Sequence, residues 1–225
     1  DALIANGEAK ERALFTVIKR YLKECRDIRF DGNGYSEEWQ QEAERRGLDI
    51  ETSVPVMIDQ YLREESVQMF GSTGVLNRAE LLARSEVKWE NYSMKLQIES
   101  RVLGDLVINH IIPAAKRYQN VLLQKVVGVK QVFSESDAAA LNEQDMQLIR
   151  RIENHTGAIV AKVEEMNRER AHANHIDNQR ERAITFHDKV VPLMENVRSH
   201  VDDLEMVIDD QLWPLPKYRE LLFIH

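Results

Sequence analysis

Lys95-Leu-Gln-Ile-Glu-Ser-Arg-Val-Leu-Gly-Asp-Leu-Val-Ile-Asn-His-Ile-Ile-Pro113 is the centre of a stretch, Asn77 to Phe133, that holds one proline, Pro113, and two glycines, Gly104 and Gly128. Apolar residues recur through it at helical spacing: Leu82, Trp89, Tyr92, Leu96, Leu103, Leu106, Ile111, Tyr118 and Leu122. At 1.5 Å per residue an unbroken helix of this length reaches roughly 85 Å, more than a small domain is wide. Other segments must therefore pack along it. Asn77 with Glu80 three residues on has the pattern of a capping box and predicts the start. Pro113 removes a hydrogen bond and clashes one turn back, so a kink is expected near Asn109–Ile112.

Downstream, Ser134-Glu-Ser-Asp137 reads as a polar turn. A seam then runs Ile149, Ile152, Thr156, Ile159, Val163, Met166, Arg170, Ala173, with the alternating three-four spacing of coiled-coil packing. A second seam follows: Ala183, Phe186, Val190, Leu193, Val197, Val201, Leu204, Ile208, with Pro192 expected to kink it. Only a weak boundary near His175–Asp177 separates them, so helices over 138–175 and 178–211 should lie antiparallel. The tail, Leu212-Trp-Pro-Leu-Pro-Lys-Tyr-Arg-Glu-Leu-Leu-Phe-Ile224, has two prolines and is read as non-helical. Its large apolar groups need burial on the bundle or on a neighbouring subunit.

Upstream, Ala13, Leu14, Val17, Ile18, Tyr21, Leu22 and Cys25 predict a helix over 8–25 with one buried face. Arg26–Phe30 is a short apolar link suited to extended backbone. Asp31-Gly-Asn-Gly34 predicts a tight turn using positive φ; without a lysine and a preceding strand it is not a phosphate loop. Ser36 is an N-cap candidate ahead of a helix ending at Gly47. A further start lies at Thr52 or Ser53 with Pro55, and Val54, Ile58, Tyr61 and Leu62 should form its buried face. Gly71-Ser-Thr-Gly74 is the next break. The fold class expected is all-α: an elongated antiparallel bundle of three long helices, with shorter N-terminal helices and an irregular C-terminal tail.

Composition narrows the function. Across 225 residues, 43% are hydrophobic and 30% charged, ordinary for a soluble helical protein, and the net charge is −8. That balance disfavours nucleic acid and anionic membrane as partners. Cys25 is the only cysteine, which fits a reducing, cytoplasmic location, and its place on an apolar face suggests a buried thiol. No apolar run reaches a membrane span, and without a basic-then-apolar pattern no signal peptide is expected. Because the chain begins at Asp1, a fragment or processed product is expected.

Candidate chemistry is sparse. Glu169-Arg-Ala-His172, with His175 a turn on, matches one half of a di-iron carboxylate motif, but His110, His155, His187 and His200 have no Glu or Asp three residues before them. A solvated helix end is the better account. His110 lies in the apolar stretch and is expected as a core histidine. Glu99, Arg101 and Asp105 have spacing for an i, i+4 ion pair. No nucleophile elbow, paired cysteine ligands or zinc-protease motif occurs. The expected site residues are packing and assembly anchors: Trp89, Tyr92, Pro113, Trp213, Pro214, Tyr218 and Phe223, with none assigned to catalysis, cofactor or metal.

Four blocks together resemble the C-terminal part of type III glutamine synthetases: Ile28-Arg-Phe-Asp-Gly-Asn-Gly-Tyr-Ser-Glu-Glu-Trp39 with Glu42-Ala-Glu-Arg-Arg-Gly-Leu48; Lys95–Leu106; Asn109-His-Ile-Ile-Pro-Ala-Ala115 with Tyr118-Gln-Asn120; and Trp213-Pro-Leu-Pro-Lys-Tyr-Arg-Glu-Leu-Leu-Phe223. The resemblance implies residues 1–92 as the end of the catalytic region and 93–225 as a helical extension peculiar to type III. It also implies a parent ligase that uses ATP and Mg²⁺ or Mn²⁺ to join glutamate and ammonia, assembled as a dodecamer of two hexameric rings. The family's ATP, metal and glutamate motifs match no residue of this chain. The expectation is a structural and assembly domain, inactive alone, whose partners are the rest of the subunit and neighbouring subunits. The alternatives are an independent helical scaffold that binds a partner, or a metal-binding helical bundle.

Overall fold

The computed structural model describes residues 2–222, and among them every regular element is helical. Two compact units divide between Thr52 and Ser53. The first holds α1 (Ala2–Ala5), α2 (Lys10–Glu24) and α3 (Glu37–Arg45). Ser36 caps α3 by accepting from the Trp39 N–H, and Gly47 follows it at φ +72°, a conformation that favours glycine. Cys25–Ile28 forms a turn instead of an extended link. The Asp31–Gly34 turn does not use positive φ. Its glycine is needed for space: a Cβ on Gly32 would lie 2.8 Å from the Phe30 ring. That ring stacks on Trp39 at 4.1 Å, and Arg46 covers the other aromatic contact at 5.4 Å while donating to the carbonyls of Asp27 and Arg29.

The expected buried face of α2 is not buried. Among its apolar residues only Ala13 is enclosed, whereas Leu14, Phe15, Ile18, Tyr21 and Leu22 are exposed, Phe15 at 68%. Cys25 is only partly covered. The amphipathic pattern is real, but no described residue packs onto most of it.

The second unit begins with α4 (Val54–Ile58), a 3₁₀ turn (Asp59–Leu62) and α5 (Glu64–Ser72). Pro55 and Ile58 are buried here, while Val54 and Tyr61 face solvent, so the inward stripe is offset from the expected one. Gly74, at φ +67°, ends this section. Then comes the long helical run: α6 (Arg78–Leu106), a π-helical turn (Val107–Ile111) and α7 (Ile112–Val132). The Asn77–Glu80 capping box forms in both directions. The buried line of α6 is Leu81, Ser85, Trp89, Ser93, Leu96, Ser100 and Gly104, not a line through Leu82, which is half-exposed. Alternating small residues let neighbouring helices approach closely; a Cβ on Gly104 would sit 3.6 Å from Met166 and Val163. His110, expected in the core, is exposed because the wide turn carries Val107 and Ile111 inward instead.

The run is followed by α8 (Glu135–Asn174), 40 residues and about 60 Å long. Next are α9 (Gln179–Thr185), a second π turn (Phe186–Val190) and α10 (Val191–Glu205). The weak boundary at His175–Asp177 is a true break, because Asn178 caps α9 by accepting from the Glu181 N–H. α8 packs between α7 and α10, and α9 lies on α6. Both seams are inside: Ile152, Ile159, Met166, Phe186, Val190, Val197 and Leu204 are essentially inaccessible. Burying a group such as Phe186 contributes about 1.5–3 kcal/mol.

The prolines act as a matched pair. Pro113 and Pro192 each stand in the first turn of a new α segment, and each is preceded by a π turn at the same offset. The Ile112 N–H bonds the carbonyl of Val107 and the Val191 N–H that of Phe186, five residues back in both cases. The extra residue per turn moves the carbonyl that the ring would otherwise strike, so the chain widens instead of breaking. The tail is not wholly irregular: a short helix, α11 (Tyr218–Leu221), follows the prolines. Pro216 precedes its first turn, where a missing N–H costs little, and the Lys217 N–H bonds the Glu220 carboxylate.

Candidate functional site

Two anchoring clusters and one polar cluster stand out. At the first anchor, the Trp89 indole N–H donates to the Pro55 carbonyl at 2.9 Å inside a buried contact with Ile58 and Ala183. Tyr92 bridges this cluster to the main core, and burial, then the carboxylates of Asp188 and Glu99, push its phenol upward. Beside it Arg180 clasps Asp59 through two bonds of 2.7 and 2.6 Å, which holds the guanidinium above its usual range. This anchor fastens α4 and the 3₁₀ turn to α6 and α9. At the second, Trp213 is buried against the core, flanked by Leu212 and Leu215. Lys217 ties the tail back through the Glu205 carbonyl at 3.0 Å and the Asp210 carboxylate.

Of the anchors expected from sequence, Trp89, Tyr92 and Trp213 therefore pack inward and Pro113 marks the π turn. Pro214 is exposed. The Tyr218 side chain and Phe223 lie outside the described residues. Asp105 accepts from Asn109 at 2.6 Å. His172 is exposed, in keeping with a solvated end for the Glu169-Arg-Ala-His172 pattern.

The polar cluster was not legible from that pattern. His155 on α8 meets His200 and Asp203 on α10. The two imidazole Nδ1 atoms lie 3.0 Å apart, and the Asp203 Oδ2 is 3.8 Å from the Nδ1 of His155. Arg151 approaches the other oxygen of Asp203 at 3.7 Å. Burial holds His155 below its ordinary range; Asp203 opposes that shift, and His200 and Arg151 add to it. The local signal that finds half of this cluster is His200-Val-Asp-Asp203, inverted from the usual order: the carboxylate follows the histidine by three residues.

Among the described residues, two amphipathic surfaces remain uncovered. One is the α2 face in the first unit. The other, in the second unit, runs along α6 through Val87, Met94, Ile98 and Val102, each about half-exposed. Among the described residues no helix is long and apolar enough to cross a membrane.

Among the described residues the fold is all-helical, with buried tryptophan anchors and apolar faces left uncovered. Residues 13–130 match the family described as the glutamine synthetase C-terminal domain. A glutamine synthetase of Bacteroides fragilis (strain YCH46) is 45% identical over 223 residues, 99% of this chain and 31% of that protein. The type-3 glutamine synthetase of Dictyostelium discoideum is 27% identical over 217 residues, 96% of this chain and 29% of that one. A glutamine synthetase of Butyrivibrio fibrisolvens is 25% identical over 218 residues, again about a third of its length at 31%. The chain belongs to the glutamine synthetase C-terminal domain family, in its type III branch. It spans less than a third of each of these relatives.

Proposed function

We propose that this chain is the structural and assembly portion of a type III glutamine synthetase subunit. It braces the catalytic region of its own subunit and makes contacts with neighbouring subunits in a dodecamer, in the cytoplasm, without nucleic acid or membrane partners. It holds no active site of its own. ATP-dependent joining of glutamate and ammonia, with Mg²⁺ or Mn²⁺, belongs to parts of the subunit outside these 225 residues.

The observation that carries this reading is the α2 face. Its apolar residues are spaced to be buried, yet Leu14, Phe15, Ile18 and Leu22 stand in solvent. A contiguous apolar face on an otherwise polar helix marks a contact surface. The test compares a full-length subunit with the same subunit lacking this segment, by light scattering and by glutamine formation from ATP, Mg²⁺, glutamate and ammonia. Loss of the large assembly on deletion supports the reading. An intact assembly after deletion, or turnover by the 225-residue chain alone, sinks it.

A further inference from the structure

The geometry points to a divalent transition-metal site formed by His155 of α8 with His200 and Asp203 of α10, an ion-binding clip between two neighbouring helices. It stands independently of the assembly role.

Three features carry it. First, the donor atoms converge. The Nδ1 atoms of His155 and His200 face one another at 3.0 Å, and Oδ2 of Asp203 stands 3.8 Å from the first. Ligands about 2.0–2.1 Å from a tetrahedral zinc lie about 3.3 Å apart, and these separations bracket that edge. Second, the frame is rigid. His200 and Asp203 stand one turn apart on one face of α10, and His155 adjoins Thr156, which is fully buried in the α8 seam. The neighbouring core residues Ile152, Ile159, Val197 and Leu204 fix the register of the two helices. Third, the cluster is accessible but not washed out. His155 keeps 16% of its side-chain exposure and Asp203 keeps 49%, which leaves an entry path and a position for water. Arg151 lies 3.7 Å from Oδ1 of Asp203, on the carboxylate oxygen other than the Oδ2 that is 3.8 Å from His155.

The donor set selects the ion. Two imidazoles and one carboxylate suit Zn²⁺, Ni²⁺, Co²⁺ or Cu²⁺, whereas Mg²⁺ and Ca²⁺ prefer oxygen ligands throughout. Binding joins α8 to α10, so it favours the folded bundle.

The experiment uses the 225-residue chain, stripped with chelator and checked for helicity by circular dichroism, then titrated calorimetrically with Zn²⁺ in the presence of excess Mg²⁺. One equivalent should bind and raise Tm. His200→Gln and Asp203→Asn should each weaken binding by at least about tenfold, since even partners outside the ligand shell alter affinity by ten- to a hundredfold. Both should leave the metal-free Tm near that of the parent chain, and His172→Gln should leave binding unchanged. Cu²⁺ electron paramagnetic resonance should show two nitrogen ligands in the parent and one in His200→Gln. A folded chain with neither heat of binding nor a Tm shift would mean that the imidazoles only hydrogen-bond to one another, and the site is refuted. Binding that survives both variants places the ion elsewhere and refutes it equally.

Discussion

Trp89 joins two stretches that lie 34 positions apart, and its contribution can be separated into packing and hydrogen bonding. Trp89→Phe keeps most of the ring contact with Ile58 and Ala183 but leaves the buried Pro55 carbonyl unpaired. An unsatisfied buried acceptor costs about 1–3 kcal/mol, so chemical denaturation should show a loss of that size. Glu42 gives a residue-scale prediction of another kind. Hydrogen bonds from Arg45, then Arg46, hold its carboxyl at about 2, against an ordinary 4.5. The folded-state value is the lower one, so its contribution to stability is fully present above pH 4.5 and is lost as pH falls toward 2. Carboxyl NMR titration should place the Glu42 midpoint well below that of the other glutamates. In Glu42→Gln, the stability of the first unit should change less between pH 5 and pH 2.5 than in the parent. A Glu42 midpoint near 4.5 would show that the two arginines do not hold it in solution.

At the scale of elements, helix starts were readable because capping is local: Asn77 with Glu80, and Ser36 before Trp39, act within one turn. The two seams were readable for a similar reason, since a repeat over eight positions averages out single exceptions such as Arg170. The π turns were not. Pro113 signalled a disturbance, but whether a helix bends, breaks or widens depends on what holds its two ends. Here Val107 and Ile111 are both buried, and a widened turn keeps both inside. The exposure of His110 follows from that extra residue. Gly157 offers a clean test of propensity in the longest helix. It is exposed in the middle of α8, and a Cβ there would meet nothing within 4 Å. Gly157→Ala should raise stability by about 0.5–1 kcal/mol in the isolated chain, measured by urea denaturation. If the same change weakens a full-length assembly, the glycine is kept for a close contact with another surface.

For the whole molecule, amphipathic periodicity reports that a face is meant to be covered, not by what. The bundle faces of α8 and α10 find their partners within the chain, whereas among the described residues nothing covers most of the α2 face, and the two cases look alike in sequence. The His155–His200–Asp203 cluster was hidden for the converse reason: His155 and His200 are 45 positions apart and only the register of α8 against α10 brings them together. The distinction between self-covered and partner-covered faces can be measured directly. Phe15→Gln combined with Ile18→Gln removes apolar surface that nothing in the described chain covers, so the isolated protein should change by no more than about 0.5 kcal/mol, as surface substitutions do. In a full-length subunit the same pair should lower the proportion of large assembly or its Tm, because there each side chain would be buried, and losing a buried group of this size costs about 1.5–3 kcal/mol. Phe186→Ala is the internal comparison: that ring is covered by the chain itself, so it should cost about 3–5 kcal/mol in both settings. Equal, small effects of the α2 pair in both settings would show that this face stays in solvent in the complete enzyme, and the bracing role would pass to the exposed line along α6.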